Sequence, residues 1–216
     1  MGFAKPIEQY LFGNLLTKMH VFMYLKDIIR GVHMKIAVYC GSDFGNNEEY
    51  TKAARELGQW IGKGKHTLVY GGGESGLMGA VAKEVHAAGS EVIGVIPGNV
   101  EFIKSRPQPY VTKLITTTNM SERKQKMLDL ADVFIALPGG IGTLDEISEA
   151  ITLTKIGVFQ KPCILFNRNS FYAPLQEMLK KMEQAGFLWE EHMGHVLFSD
   201  HVNEIEAFID KFNSAQ

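Results

Sequence analysis

Cysteine is nearly absent from this chain: Cys40 and Cys163 are the only two in 216 residues. They form no CxxC pair and no disulfide framework, which fits a reducing, cytoplasmic setting. Each sits at the end of a short apolar run and reads as a buried free thiol. Strong charge is absent too. The net charge of -2 creates no field that would favour nucleic acid or an acidic membrane. The seven histidines include no HExxH pattern, and His192 and His195 alone are too little for a metal site, so no metal is expected. No GK[ST] follows a glycine loop, which excludes a P-loop. No apolar run is clean enough to span a bilayer. The apolar leader, residues 1–33, is interrupted by Lys18, His20, Lys26 and Asp27. It also lacks the apolar core and small-residue cleavage site of a signal peptide.

What is present suits one globular domain with a sizeable core: 45% hydrophobic and 21% charged residues. Residues 1–33 read as an N-terminal helical extension of one or two amphipathic helices. An extra packing helix, an oligomer contact and a start assigned too early all remain open for it. The compact domain is expected over 34–216. There the pattern alternates. Strands are expected at 35–40, 66–70, 91–96, 113–118, the "VFIAL" run, 162–167 and "HVLFS". Helices are expected at 47–63, 77–88, 121–131, 144–158, 171–185 and 202–212. Short continuous apolar strands alternating with helices mean parallel strands buried on both faces. The fold class is therefore α/β, a Rossmann-like open, mainly parallel sheet with helices on both faces.

In such sheets ligands bind beyond the carboxyl ends of the strands. The strand-end loops here carry Gly41-Ser42, "GGGESGLMG" (71–79), Pro97-Gly98 and "PGGIGT" (138–143). Gly71, Gly73 and Gly76 make a formal GxGxxG, but the ribose-binding acid of a dinucleotide site is missing. The next strand ends in Ile96-Pro97-Gly98, with no carboxylate before Glu101. A phosphate group needs less, only glycines that admit the backbone and free N–H groups at a helix start. One such loop is as well explained by tight strand–helix packing. Two on one sheet edge point to an anion site.

Two further stretches conflict with or complicate local rules. Thr143-Leu144-Asp145-Glu146 reads as a capping box, with Thr143 capping and Glu146 reaching back. The same Glu146 stands at the mouth of a glycine loop, where a ligand would lie. In "TTTNMSERKQKM", Ser121 reads as the N-cap and Glu122 is well placed. Arg123 and Lys124, however, put cations at the positive end of the helix dipole, at a cost of about 0.3–1 kcal/mol each when exposed. A local rule broken without visible gain marks a candidate site; the alternative is two solvated surface cations.

These stretches resemble one family. "PGGIGTLDE" fits a PGGxGTxxE signature, "MSERK" fits its companion Arg-Lys motif, and "VYGGGESGLMGAVA" followed by "VIGVIP" fits its first glycine loop and next strand. In order, from about Lys35 to about Gly186, they resemble the LOG ("Lonely Guy") cytokinin riboside 5′-monophosphate phosphoribohydrolases, proteins that also carry a lysine-decarboxylase-like label. The resemblance implies hydrolysis of the N-glycosidic bond of a nucleoside 5′-monophosphate, giving adenine or an N6-substituted adenine and ribose 5-phosphate. It implies a homodimer and no cofactor. By position it makes Arg123 and Glu146 the catalytic pair. It places Ser42, Lys124, Gly139, Gly140, Ile141, Gly142, Thr143, Asp145 and Thr152 around the nucleotide, with Gly72, Gly73, Gly76, Met78 and Gly79 on the other wall. The loop "GNVEFIKSRPQPYVTK" departs from the family pattern, in which an acidic residue helps hold the substrate; Glu101 is a poorly aligned stand-in. The leader 1–33 has no counterpart.

The decarboxylase label would require pyridoxal phosphate and a Schiff-base lysine, and no lysine lies in a glycine-flanked strand-end setting. A rival of another class is a non-catalytic nucleotide carrier or sensor, similar to molybdenum-cofactor carrier proteins. It would keep the glycine loops without needing both Arg123 and Glu146.

Overall fold

The computed structural model describes residues 33–98, 108–189 and 193–214. The expectations for the leader, for Glu101 and for His192 lie outside the described residues. The unit Met34–Gln216 carries a seven-stranded sheet. In chain order the elements are β1 (Lys35–Tyr39), α1 (Glu48–Lys63), β2 (Thr67–Tyr70), α2 (Gly76–Ala87), β3 (Val92–Pro97) and β4 (Lys113–Thr117). Then come α3 (Met120–Leu130), β5 (Val133–Ala136), α4 (Ile141–Lys155), β6 (Cys163–Phe166), a 3-10 turn (Arg168–Ser170), α5 (Ala173–Gln184), β7 (Val196–Ser199) and α6 (Val202–Ser214).

The strand order is β4-β3-β2-β1-β5-β6-β7 and every pairing is parallel, so the sheet is wholly rather than mainly parallel. β2, β3, β5 and β6 are buried at every position. That explains their unbroken apolar runs: helices cover both faces, so neither face can afford alternation. One core packs Val38, Leu68, Tyr70, Ile135 and Phe166 with Leu57 and Ile61 of α1, Val81 of α2 and Ile205 of α6. The opposite core packs Tyr39, Val69, Val95 and Phe134 with Met127 and Leu128 of α3 and Ile147 of α4. Cys40 and Cys163 are buried and free.

The chain leaves β1 toward β2 on one side and returns to β5 on the other. That reversal opens a crevice past the carboxyl ends of β1, β2 and β5. The three loops there are tied together. Gly41 N donates to Pro138 O (3.1 Å), and Met78 N donates to Gly41 O (3.4 Å). Gly76 makes the approach possible. Its φ is +61°, and a Cβ there would lie 2.2 Å from Ser42 O.

Two helix starts differ from the sequence reading. The N-cap of α3 is Asn119, not Ser121. Asn119 has extended backbone, and its side chain accepts from Glu122 N at 2.9 Å. Glu122 in turn accepts from Thr118 N (2.7 Å), so both residues serve the helix start and Ser121 falls inside the first turn. α4 begins at Ile141, behind Gly140, and no side chain caps it.

Gly76→Ala is expected to fold with stability lowered by roughly 2–4 kcal/mol, the sum of a left-handed backbone and a backbone clash. Urea unfolding measures this; a loss below about 0.5 kcal/mol would contradict the packing described.

Candidate active site

The crevice holds a cavity of about 320 Å³. One wall is the Gly71–Gly79 loop and the start of α2, with Gly71, Gly72, Gly73 and Met78. The other is the start of α4, with Gly140, Gly142 and Thr143. Ser42 closes one side, and Arg123, Met120 and Glu146 line the rest.

Arg123 is 6% exposed. Its Nε donates to Val95 O (3.0 Å) and its Nη1 to Glu146 Oε1 (2.6 Å). The first bond fixes the guanidinium to the end of β3, and the second joins α3 to α4. Gly71 leaves room for the remaining nitrogen, since a Cβ there would lie 2.6 Å from Arg123 Nη2. A cation that looked misplaced on α3 is thus matched by a carboxylate from α4, which offsets its conflict with the helix dipole. Glu146 is nearly as buried, its side chain 10% exposed. Burial pushes its pKa above the ordinary 4.5, and the Arg123 charge and hydrogen bond oppose that rise.

The capping box is corrected by this geometry. Thr143 is the third residue of α4, not its cap, and is buried at 4%. Glu146 points at Arg123 rather than back along its own helix. With a glycine as N-cap, the first-turn amides of Ile141, Gly142 and Thr143 have no capping side chain, and a helix start of that kind favours an anion.

The other residues singled out from the sequence fall into three groups. Ser42, Gly72, Gly73, Met78, Gly140, Gly142 and Thr143 are on the cavity wall. Gly76, Gly79 and Gly139 shape it from behind: a Cβ on Gly79 would meet Glu74 O at 1.9 Å, and one on Gly139 would meet Thr143 Oγ1 at 2.1 Å. Lys124, Asp145, Ile141 and Thr152 lie off it. Lys124 Nζ bonds Asp145 Oδ2 (2.9 Å) and Glu149 Oε2 (3.0 Å), which hold its pKa up. Ile141 is 82% exposed, and the Thr152 hydroxyl donates to Ser148 O (2.8 Å). Cys40, Gly71 and Met120 line the cavity but were not selected from the sequence. The position of Cys40 and Gly71 at strand ends was a usable signal; Met120 gave none. Burial pushes the Cys40 thiol far above its ordinary range, so it holds its proton and is no nucleophile. A second hollow of about 260 Å³ adjoins across Ser42 and Gly140, walled partly by Phe44, Tyr50 and Phe171. Among the described residues no group of three His, Cys, Asp or Glu could hold a metal ion. No described helix is long and apolar enough to cross a membrane.

Fold and site together define a Rossmann-like protein with an uncapped helix start facing a buried Arg–carboxylate pair. A family profile described as "Possible lysine decarboxylase" matches residues 78–209. The cytokinin riboside 5′-monophosphate phosphoribohydrolase LOG of Oryza sativa subsp. japonica is 38% identical over 178 residues, 82% of this chain and 73% of that one. A cytokinin riboside 5′-monophosphate phosphoribohydrolase of Rhodococcoides fascians is 38% identical over 153 residues, 71% of this chain and 77% of that one. The chain belongs to this LOG phosphoribohydrolase family. A molybdenum-cofactor (Moco) carrier protein from Chlamydomonas reinhardtii superposes with a TM-score of 0.64 at 23% identity, over 85% of this chain and 99% of that one; the likeness is one of fold.

The Glu146 carboxyl is expected to titrate above 4.5 by carbon NMR, and Arg123→Met to raise it further, because the charge opposing burial is gone. The linkage has a definite sign. A carboxyl whose pKa is higher folded than unfolded contributes stability that is lost as pH rises from its unfolded pKa through its folded one. Wild type should therefore lose stability relative to Glu146→Gln as pH rises through that window. An ordinary pKa in wild type would contradict the burial.

Proposed function

We propose that the protein hydrolyses the N-glycosidic bond of an adenosine 5′-monophosphate, plain or N6-substituted, to free base and ribose 5-phosphate. The activity for which the relatives are named supports this reading. The observation that carries it is the buried Arg123–Glu146 pair set against an uncapped helix start in one cavity.

The chemistry follows from those positions. Breaking the C1′–N9 bond sends its electron pair to the departing base and leaves positive charge on the sugar ring. Glu146, ionised and mostly shielded from water, stabilises that charge and orients a water toward C1′. The water oxygen becomes the new hydroxyl of ribose 5-phosphate, and its displaced proton balances the one the base takes up. Arg123 holds the carboxylate in place through Val95 O and its own salt bridge. The 5′-phosphate rests on the amides of Gly142 and Thr143 beside Ser42, so binding energy remote from C1′ aligns the sugar. A homodimer in the cytoplasm belongs to the same reading. Ile141, Ile156 and Val158, at 82%, 64% and 62% exposed, supply apolar surface for a second copy. A carrier of nucleotides would share the cradle but has no use for the buried carboxylate.

Chromatography of products from adenosine 5′-monophosphate and N6-isopentenyl-adenosine 5′-monophosphate is expected to show free base and ribose 5-phosphate. Glu146→Gln should fold and lose at least about 100-fold in kcat. The acid limb of kcat/KM should lie above 4.5, since the ionised carboxylate works and burial raises its pKa. Tight nucleotide binding without turnover in wild type would make the protein a carrier, and equal turnover in the variant would remove Glu146 from the chemistry.

A further inference from the structure

Leu137 stands between β5 and the Pro138–Gly140 loop. Its N–H donates to Tyr39 O at 2.9 Å. A regular parallel ladder would continue with Gly41 N donating to Leu137 O. Instead Gly41 N donates to Pro138 O, one residue further on, at 3.1 Å. The slip lays the glycine loop close against the end of β1: a Cβ on Gly139 would lie 2.8 Å from Gly41 N. It also leaves the Leu137 carbonyl out of the ladder, and a buried carbonyl needs a donor. That donor is Tyr172, whose hydroxyl bonds Leu137 O at 2.7 Å. Tyr172 is 5% exposed, and burial pushes its hydroxyl above the ordinary phenol range, so it keeps its proton and stays a donor. A strained turn delivers it. Asn169 and Ser170 stand in succession at φ +55° and +56°, the left-handed region that few side chains adopt. Such strain persists only where the surroundings over-determine it, and it clusters at working sites. Three contacts hold the turn here. Asn167 Oδ1 accepts from Tyr172 N at 2.6 Å, the Arg168 guanidinium pairs with Glu56 of α1, and Phe171 meets Tyr50 of α1 edge-on with ring centroids 5.5 Å apart.

We propose that Tyr172 is a positioning residue for the substrate phosphate: by occupying Leu137 O it keeps the Pro138–Gly140 loop slipped by one residue, with the Gly142 and Thr143 amides at the cavity wall. The inference rests on the phosphate placement above and deepens it. Without the hydroxyl, Leu137 O is left to recapture Gly41 N, and the loop shifts by one register together with the helix start behind it. The amides that meet a phosphate then move. The Gly71–Gly73 wall, which follows β2, is not part of that ladder.

Calorimetric binding of adenosine 5′-monophosphate and of adenosine tests this without turnover, in the Glu146→Gln background. Tyr172→Phe removes one oxygen atom. It is expected to weaken adenosine 5′-monophosphate about tenfold, the scale of a hydrogen bond whose partner is left unpaired, and adenosine by less than about twofold. A merely structural loss would weaken both alike. Asn167→Ala releases the Tyr172 amide but keeps the hydroxyl, and should give the same selective loss at about threefold. Asn167→Asp retains the acceptor and should restore the affinity of the parent. That pair of variants decides the question where Tyr172→Phe fails to fold. Equal weakening of both ligands, or undiminished binding of adenosine 5′-monophosphate by folded Tyr172→Phe, would overturn the assignment. Failure of wild type to release base would overturn the hydrolase reading alone, since the binding comparison stands without it.

Discussion

The site depends on one buried contact, the salt bridge between Arg123 and Glu146. It joins the N-terminal parts of two helices that follow different strands, and the Arg123 bond to Val95 O anchors it to a third. Burying two opposite charges is not a cheap route to stability. Desolvation can exceed the Coulomb gain, and losing one partner typically costs about 3–5 kcal/mol because the other is stranded. What the pair gains is a carboxylate held in one orientation, mostly out of water, at the mouth of a cavity. The raised pKa of Glu146 is the visible residue of that conflict: burial outweighs a salt bridge at 2.6 Å.

The fold exists to make that contact reachable. Parallel strands buried on both faces put their carboxyl ends on one edge, and the reversal at β1 splits the loops there into two walls. Backbone then does what side chains cannot. Gly76 lets the Gly71–Gly79 loop press on Ser42, Gly71 makes room for the guanidinium, and Gly140 starts α4 without a cap. Lys124 shows how local the arrangement is. It is the neighbour of Arg123, yet it faces Asp145 and Glu149 outside the cavity and ties α3 to α4 from the other side.

Much of this was legible in the sequence, for identifiable reasons. Strands such as Val133–Ala136 announced themselves because a two-sided core demands unbroken apolar runs. Arg123 stood out because a cation in a first helical turn opposes the dipole. Its partner was less legible, since 23 residues separate it from Glu146 and only the fold brings them together. Helix starts were misread where the capping chemistry was ambiguous. Gly140 has no side chain to signal a cap, while Thr143 three residues later imitates one; Asn119 lost to Ser121 in the same way.

The central claim is that Arg123 and Glu146 work as one unit in turnover. The most direct measurement is a double-mutant cycle on kcat/KM with Arg123→Met, Glu146→Gln and the two combined, each checked for folding. Residues that act as a unit are strongly non-additive. The double variant should be no slower than the slower single one, within about threefold. Losses that multiply across the cycle would mean two independent contributions, and would contradict an account in which the arginine serves by holding the carboxylate.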